Sequence, residues 1–286
     1  MRADSLDALE KMRGLKPVQS DTDGIFAAVR EDLEGGRKVL FSGTPCQCDG
    51  LREYLGVDYP NLFTVDMLCS GVTSEGVFHR YVYWQEQRLG GRLTNLRFEN
   101  KRAFGHSPGM RVVFKRGRFR YLLSYPAQLD ALMAMCQSGA IHRRACGECP
   151  YACAQRVGDL SLGRFVNIRR AHPDFPYDGG ASLVIVSTAK GARLLDDAAG
   201  EMVTQPSDFA RASANRRLVA PIRQSRHRKK LLSDIFREGF GVAAEKFGRV
   251  GLLGAAVIFI RCLIPDRAVI CFDRVVRRMR GALGRQ

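Results

Sequence analysis

An α/β fold built on a mixed sheet is predicted by three observations. Short apolar strands alternate with helical segments, a hairpin pattern interrupts that alternation, and two of the strands run directly into turns that carry cysteines. The whole expectation is an α/β (α+β) chain with a mixed β-sheet, flanking helices, cysteine-bearing loops at strand ends and a basic amphipathic C-terminal tail.

The elements follow from periodicity. Asp21 to Gly35 reads as a helix, with Ile25, Phe26, Val29 and Leu33 near helical spacing and Gly35-Gly36 as its stop. Lys38 to Phe41 is a short strand running into the turn residues Ser42-Gly43-Thr44-Pro45, which puts Cys46 just beyond a strand end. Gly50 to Leu55 suits a helix, and Leu62 to Leu68 is a second strand that delivers Cys69 in the same way. In open α/β sheets ligands gather beyond the carboxyl ends of strands, so these two cysteines can be neighbours.

Gly76 to Leu89 reads as a helix whose Phe78, Tyr81, Tyr83 and Trp84 suit a core or interface. Leu93 to Phe98, Met110 to Phe114 and Arg118 to Leu122 read as strands, with a tight turn at Lys115-Arg116-Gly117. Ala127 to Met135 suits a buried helix leading to the CGEC segment. Asp159 to Gly163 and Ala181 to Ser187 are further strands, and Lys190 to Ala199 a helix. Two regions are expected: a redox domain over 1–236 and a basic amphipathic tail over 237–286.

Composition narrows the function. With 45% apolar residues the chain can fill an ordinary core without staples. Its start, MRADSLDALEKMRGLK, has no apolar run of signal-peptide length, so a cytoplasmic location and reduced thiols are expected. The formal charge of +16 is unevenly placed: from Arg211 to Gln286 there are 18 Lys and Arg against 5 Asp and Glu, so +13 of it lies there. The body carries no helix-turn-helix, histidine-bearing zinc-finger or aromatic RNA-binding pattern, which argues against sequence-specific nucleic-acid recognition. Val250 to Ile264 is too short to span a membrane. Ala268 to Met279 reads as a basic amphipathic helix suited to an anionic membrane surface, to a partner, or to packing on the body.

The chemistry concentrates in four of nine cysteines: Cys46 in GTPCQ, Cys69 in DMLCSGV, and Cys146 with Cys149 in CGEC. Thiolates are soft ligands, and four converging from three segments hold an iron-sulfur cluster or a zinc ion. Zinc usually takes two close CxxC pairs; here one pair exists and the other two ligands come singly, which favours the cluster. Cys153 extends the pair to CxxCxxxC as a reserve ligand. Cys48, Cys136, Cys262 and Cys271 read as small buried hydrophobes. Lys16 and Lys101 are candidate phosphate or flavin contacts, His106 a candidate stacking or acid/base group, and Asp159 a residue that orients the cysteine loop or a turn. No Ser-His-Asp order, HExxH, Walker loop or GxGxxG offers another mechanism.

VLFSGTPCQCDGLREYLG, NLFTVDMLCSGV, NLRFENK, RRACGECPY with RVGDLSLGRF, and GGASLVIVSTAKG come in an order that resembles the C-terminal domain of the coenzyme F420 hydrogenase/dehydrogenase beta subunit family, over roughly Gly14 to Phe236. The resemblance implies an iron-sulfur flavoprotein passing electrons between a deazaflavin coenzyme (F420), FAD and a [4Fe-4S] cluster, with Cys46, Cys69, Cys146 and Cys149 as cluster ligands. It also implies a partner redox subunit or a separately encoded N-terminal half, and some relatives accompany surface-polysaccharide synthesis. The chain departs from the family pattern in three places. Gly14-Leu15-Lys16-Pro17 stands for GSKY, Cys69-Ser70-Gly71 for CHG, and Gly163 to Asn167 for GDFWG, with Arg164 in place of an acid. A rival reading is a non-catalytic docking subunit in which a metal only stabilises the loops.

Overall fold

The computed structural model describes residues 1–98, 109–176, 180–247, 255–258 and 260. Lys101, His106, Cys262, Cys271 and the 268–279 segment lie outside the described residues, as does most of 250–264.

Along the chain run α1 (Leu6–Met12), α2 (Ile25–Glu34), β1 (Val39–Gly43), α3 (Pro45–Leu55), β2 (Leu62–Met67), α4 (Glu75–Leu89), β3 (Arg92–Phe98), β4 (Gly109–Arg116), β5 (Phe119–Pro126), α5 (Ala131–Gln137), α6 (Arg144–Gly147), β6 (Leu160–Arg164), α7 (Ile168–Ala171), β7 (Ser182–Val186), α8 (Ala189–Ala198), α9 (Phe209–Ala212), α10 (Arg228–Arg237) and α11 (Phe240–Phe247). The fold is mixed α/β, as the sequence predicts, with one difference in how the strands are shared. The hairpin does not interrupt a single sheet. It joins β3 in an antiparallel sheet of its own, ordered β3-β4-β5, while the mixed sheet is ordered β1-β2-β6-β7. There β1, β2 and β6 are parallel neighbours and β7 is antiparallel.

The chain divides into two units, each discontinuous in sequence. The first comprises Gln19–Val72 and His142–Gln224 with Met1; the second comprises Arg2–Val18, Thr73–Ile141 and the chain from Ser225 onward. In the first unit, α2 and α3 pack on β1 and the start of β2, burying Val29, Leu33, Leu51, Leu55 and Leu62. A second small cluster, Phe165, Ile168, Leu183, Ala212 and Leu218, closes the other end of the sheet.

In the second unit, α4, α5, α10 and α11 cover the antiparallel sheet with one continuous cluster that includes Tyr81, Met110, Leu132, Met135, Leu231, Ile235 and Phe240. Tyr81 and Phe240 meet edge to face at 5.2 Å. Phe240, Ala243 and Ala244 of α11 are buried here, so residues just past 236 are part of this core. Asp130 separates a turn at Ala127–Leu129 from α5 and caps that helix by accepting from Met133 N at 3.2 Å, which splits the single helix expected over 127–135. The β4–β5 turn is closed by Gly117 at φ 56°, a left-handed conformation that glycine adopts without steric cost.

Candidate metal centre

All four singled-out cysteines belong to the first unit. Cys46 lies in the first turn of α3 rather than in a loop, because Pro45 opens the helix instead of closing a turn; its fixed φ and missing N–H suit the first helical position. Gln47 Oε1 accepts from Thr44 N and Thr44 Oγ1, each at 3.0 Å, and Thr44 Oγ1 stands 3.1 Å from Cys46 Sγ. The thiol is exposed.

Cys69 follows the end of β2 by two residues and is partly buried. Gly71 N donates to its Sγ at 3.3 Å. Gly71 has φ +90°, and a Cβ there would come within 3.1 Å of Cys146 Cβ, so glycine lets this turn lie directly against α6. Cys146 is held in α6, which Gln224 anchors by donating Nε2 to the carbonyls of Arg143 and Arg144, both at 2.9 Å. Cys149 follows in the adjoining loop.

Burial pushes the Cys69 thiol up to about 11, and Cys146, Cys46 and Cys149 add to the effect against the Gly71 hydrogen bond. Cys149 is raised first by burial, then by Cys46 and Cys146, while backbone N–H groups of Tyr151 and Ala152 oppose the rise. Without a cation, Cys69 and Cys149 stay protonated near neutrality, and a bound metal would displace those protons.

Among the described residues, no group of three or more His, Cys, Asp or Glu is close enough to hold a metal ion. A tetrahedral zinc with Zn–S near 2.3 Å needs its sulfurs only ~3.8 Å apart. Iron and sulfide atoms stand between the thiolates of a cluster and hold them further apart. The set fits a cluster by donor chemistry, four soft thiols from three segments, and does not form a closed cage for one ion.

A polar network unseen in the sequence surrounds these segments. Arg156 and Asp66 form an ion pair whose side chains are 2% and 0% exposed. The same guanidinium donates Nη1 to Tyr151 O at 2.7 Å and Cys153 O at 3.3 Å, and Nε to Ser161 Oγ at 3.1 Å. Asp66 Oδ2 also accepts from Gly158 N and Ser161 Oγ, each at 2.8 Å. Tyr151 donates its hydroxyl to Asp49 Oδ2 of α3 at 2.6 Å, and that bond, with burial, pushes the phenol up to about 12. The one sequence signal was Asp66 itself, an acid inside the apolar strand LFTVDM.

The other candidates have defined places. Cys153 donates its thiol to Gln155 O at 3.3 Å. Cys48 and Cys136 are buried, as expected, and burial pushes each thiol up to about 12. Asp159 accepts from Thr64 N at 2.7 Å, Thr64 Oγ1 at 2.9 Å and Thr188 Oγ1 at 2.7 Å, tying β2 and β6 to the start of α8. Burial alone would raise its carboxyl, but Thr188, Thr64 and Lys190 together hold it below the ordinary value. Ser70, standing where the family pattern has a histidine, accepts from Arg217 Nε at 3.2 Å. Arg164 ends β6 with its carbonyl bonded to Asn215 Nδ2 at 3.1 Å, and Asn167 opens α7 in a left-handed conformation, φ 61°. In the second unit, Lys16 Nζ donates to the carbonyls of Met12, Arg13 and Gly14 at 2.6, 3.3 and 3.2 Å, closing the end of α1.

The first unit is thus a mixed α/β sheet with thiols near two of its strand ends. Residues 36–209 match the family model for the C terminus of the coenzyme F420 hydrogenase/dehydrogenase beta subunit, and the chain belongs to that family. It is an oxidoreductase-related family of redox subunits, with coenzyme F420 in its name. A search of curated proteins finds no match. Among the described residues, no helix is long and apolar enough to cross a membrane.

Proposed function

We propose that this chain is an electron-transfer unit holding a [4Fe-4S] cluster on Cys46, Cys69, Cys146 and Cys149. The observation that carries this reading is that the Gly71 turn after Cys69 lies against Cys146, while Asp49 on the helix that bears Cys46 is bonded to Tyr151 beside Cys149, which gathers the four thiols from α3, the β2 exit and the CxxC segment. When bound, such a cluster supplies one-electron transfer at a potential set by burial and hydrogen bonds to sulfur. The chain's own part is to shield Cys69, to present the Gly71 N–H to its sulfur and to hold Arg217 beside the Cys69-Ser70 turn. An N–H aimed at a thiolate stabilises the more negative, reduced state.

A flavin or deazaflavin-type coenzyme, FAD or F420, is the two-electron partner this reading calls for. Lys16 can contact it only by giving up carbonyls that close α1. A partner redox subunit then receives or delivers the electrons. A second reading, a docking subunit with a structural metal, rests on Ser70 and Arg164, which replace family residues that differ in charge or ligand chemistry.

Anaerobic purification followed by iron, zinc and acid-labile sulfide analysis tests the first reading, with absorption spectra before and after dithionite. About four irons and four sulfides per chain, and a band near ~400 nm that bleaches on reduction, are expected. Zinc without sulfide supports the second reading. Cys46→Ser should abolish the bleaching band, whereas Cys153→Ser should keep it.

A further inference from the structure

The two cysteines delivered singly share an arrangement. Asp49 lies three residues after Cys46 on α3, and Asp66 lies three residues before Cys69 on β2. Both carboxylates reach the same loop, the one that begins at Cys149. Asp49 accepts from the Tyr151 hydroxyl at 2.6 Å. Asp66 is ion-paired to Arg156, whose Nη1 also bonds the carbonyls of Tyr151 and Cys153. Resting on the cluster reading above, we propose that Asp49–Tyr151 and Asp66–Arg156 are two positioning struts that fix the spacing of Cys46 and Cys69 from Cys149, and so decide how firmly the cluster is held.

The chemistry suits that task. A guanidinium is a planar fork, and here it spans an acid on one ligand-bearing segment and two carbonyls on another, which a flexible ammonium does not reproduce. With side-chain exposures of 2% and 0%, the pair is out of water, and its partners leave few of its hydrogen-bonding positions unmet. Tyr151 adds a short bond to the third segment, so a shift of α3 or of β2 is transmitted to the loop. Groups that orient ligating side chains typically change metal affinity ten- to a hundredfold when removed.

Three variants of the anaerobically purified full chain test this. Tyr151→Phe removes a single hydroxyl, Arg156→Lys keeps the charge facing Asp66 but loses the fork, and Asp159→Asn weakens a comparably buried network at the far end of the loop, bonded to Thr64 and Thr188 rather than to the stretch from Cys149 to Arg156. The readouts are iron and sulfide content, the rate at which the ~400 nm band is lost to an excess of chelator, and thermal unfolding of the metal-free chains. Loss should be about tenfold faster in Tyr151→Phe and Arg156→Lys than in wild type, and unchanged in Asp159→Asn. Equal loss rates in all four proteins, or acceleration in Asp159→Asn matching the other two, would overturn the proposal and leave general stability as the role of these bonds. Should Arg156→Lys fail to fold, Tyr151→Phe decides alone. A wild type that holds no cluster sinks the cluster reading itself, a result distinct from equal retention in all variants.

Discussion

The cysteine end of the first unit and the interior of the second are built from different materials. Among the described residues of the second unit, one apolar cluster of eighteen buried residues runs between the antiparallel sheet and its helices. Among the described residues of the first unit there are two apolar clusters of five, and the strands between them, which also bury Val65 and Leu160, are tied together by Asp66, Asp159, Arg156, Thr64 and Thr188. Apolar burial is non-directional and tolerates small shifts, whereas hydrogen bonds and ion pairs fix direction and distance. A region that must present several side chains to one ligand benefits from the second kind of construction, and a region that supplies stability benefits from the first.

The largest effect that sharpens this contrast is expected at Phe240, which is buried against Tyr81 and Trp84. Phe240→Ala should cost about 3–5 kcal/mol in denaturant unfolding, while the iron content of the protein that remains folded stays at the wild-type ratio. A fall in iron per folded chain would break the contrast.

Acid titration separates the units through two buried aspartates that shift in opposite directions. Asp159 is held below its ordinary value, so its contribution is present above the unfolded value near ~3.9 and is lost as pH falls through the lower folded value. Asp130 is raised, first by burial, although Tyr81 and Tyr125 donate to it at 2.7 and 2.9 Å. Its contribution is present below about 3.9 and is lost as pH rises through the higher folded value. Asp159→Asn should therefore lower stability at pH 7 and flatten the acid limb. Asp130→Asn should lose less at pH 7 than at pH 3. Both follow from unfolding midpoints measured between pH 3 and 7, and parallel profiles would refute the distinction. The smallest effect is expected at Thr44→Ala, which opens the start of α3 beside Cys46 and should cost about 1 kcal/mol, read as a lower melting temperature.

The strands and the helices that alternate with them, α2, α3, α4, α5 and α8, were legible because alternation and turn residues are local signals, whereas α1, the short α6, α7 and α9, and α10 and α11 were not picked out. Leu62–Met67, Ser182–Val186 and Ala189–Ala198 fall within a residue or two of where periodicity puts them. Pro45 misled because proline both closes turns and opens helices, and only the backbone after it decides which. The division into two units left no mark in the sequence, since the chain leaves the first unit at Val72 and re-enters it at His142 without a Pro- or Gly-rich linker. The candidate ligands were legible as residue types. Their supports were not: Arg156 and Asp66 stand 90 positions apart, and Tyr151 and Asp49 stand 102 apart.

That interruption of the first unit also sets a timetable. Cys146 leaves the ribosome 77 residues after Cys69, an interval on the order of 4–15 s at ordinary rates of synthesis. Throughout it, half of the proposed ligand set is made and bare while the intervening chain builds a different sheet. Any metal delivered in that interval meets two of the four proposed ligands, so assembly of such a centre belongs after Cys149 has been made, in the company of whatever keeps those first two sulfurs reduced.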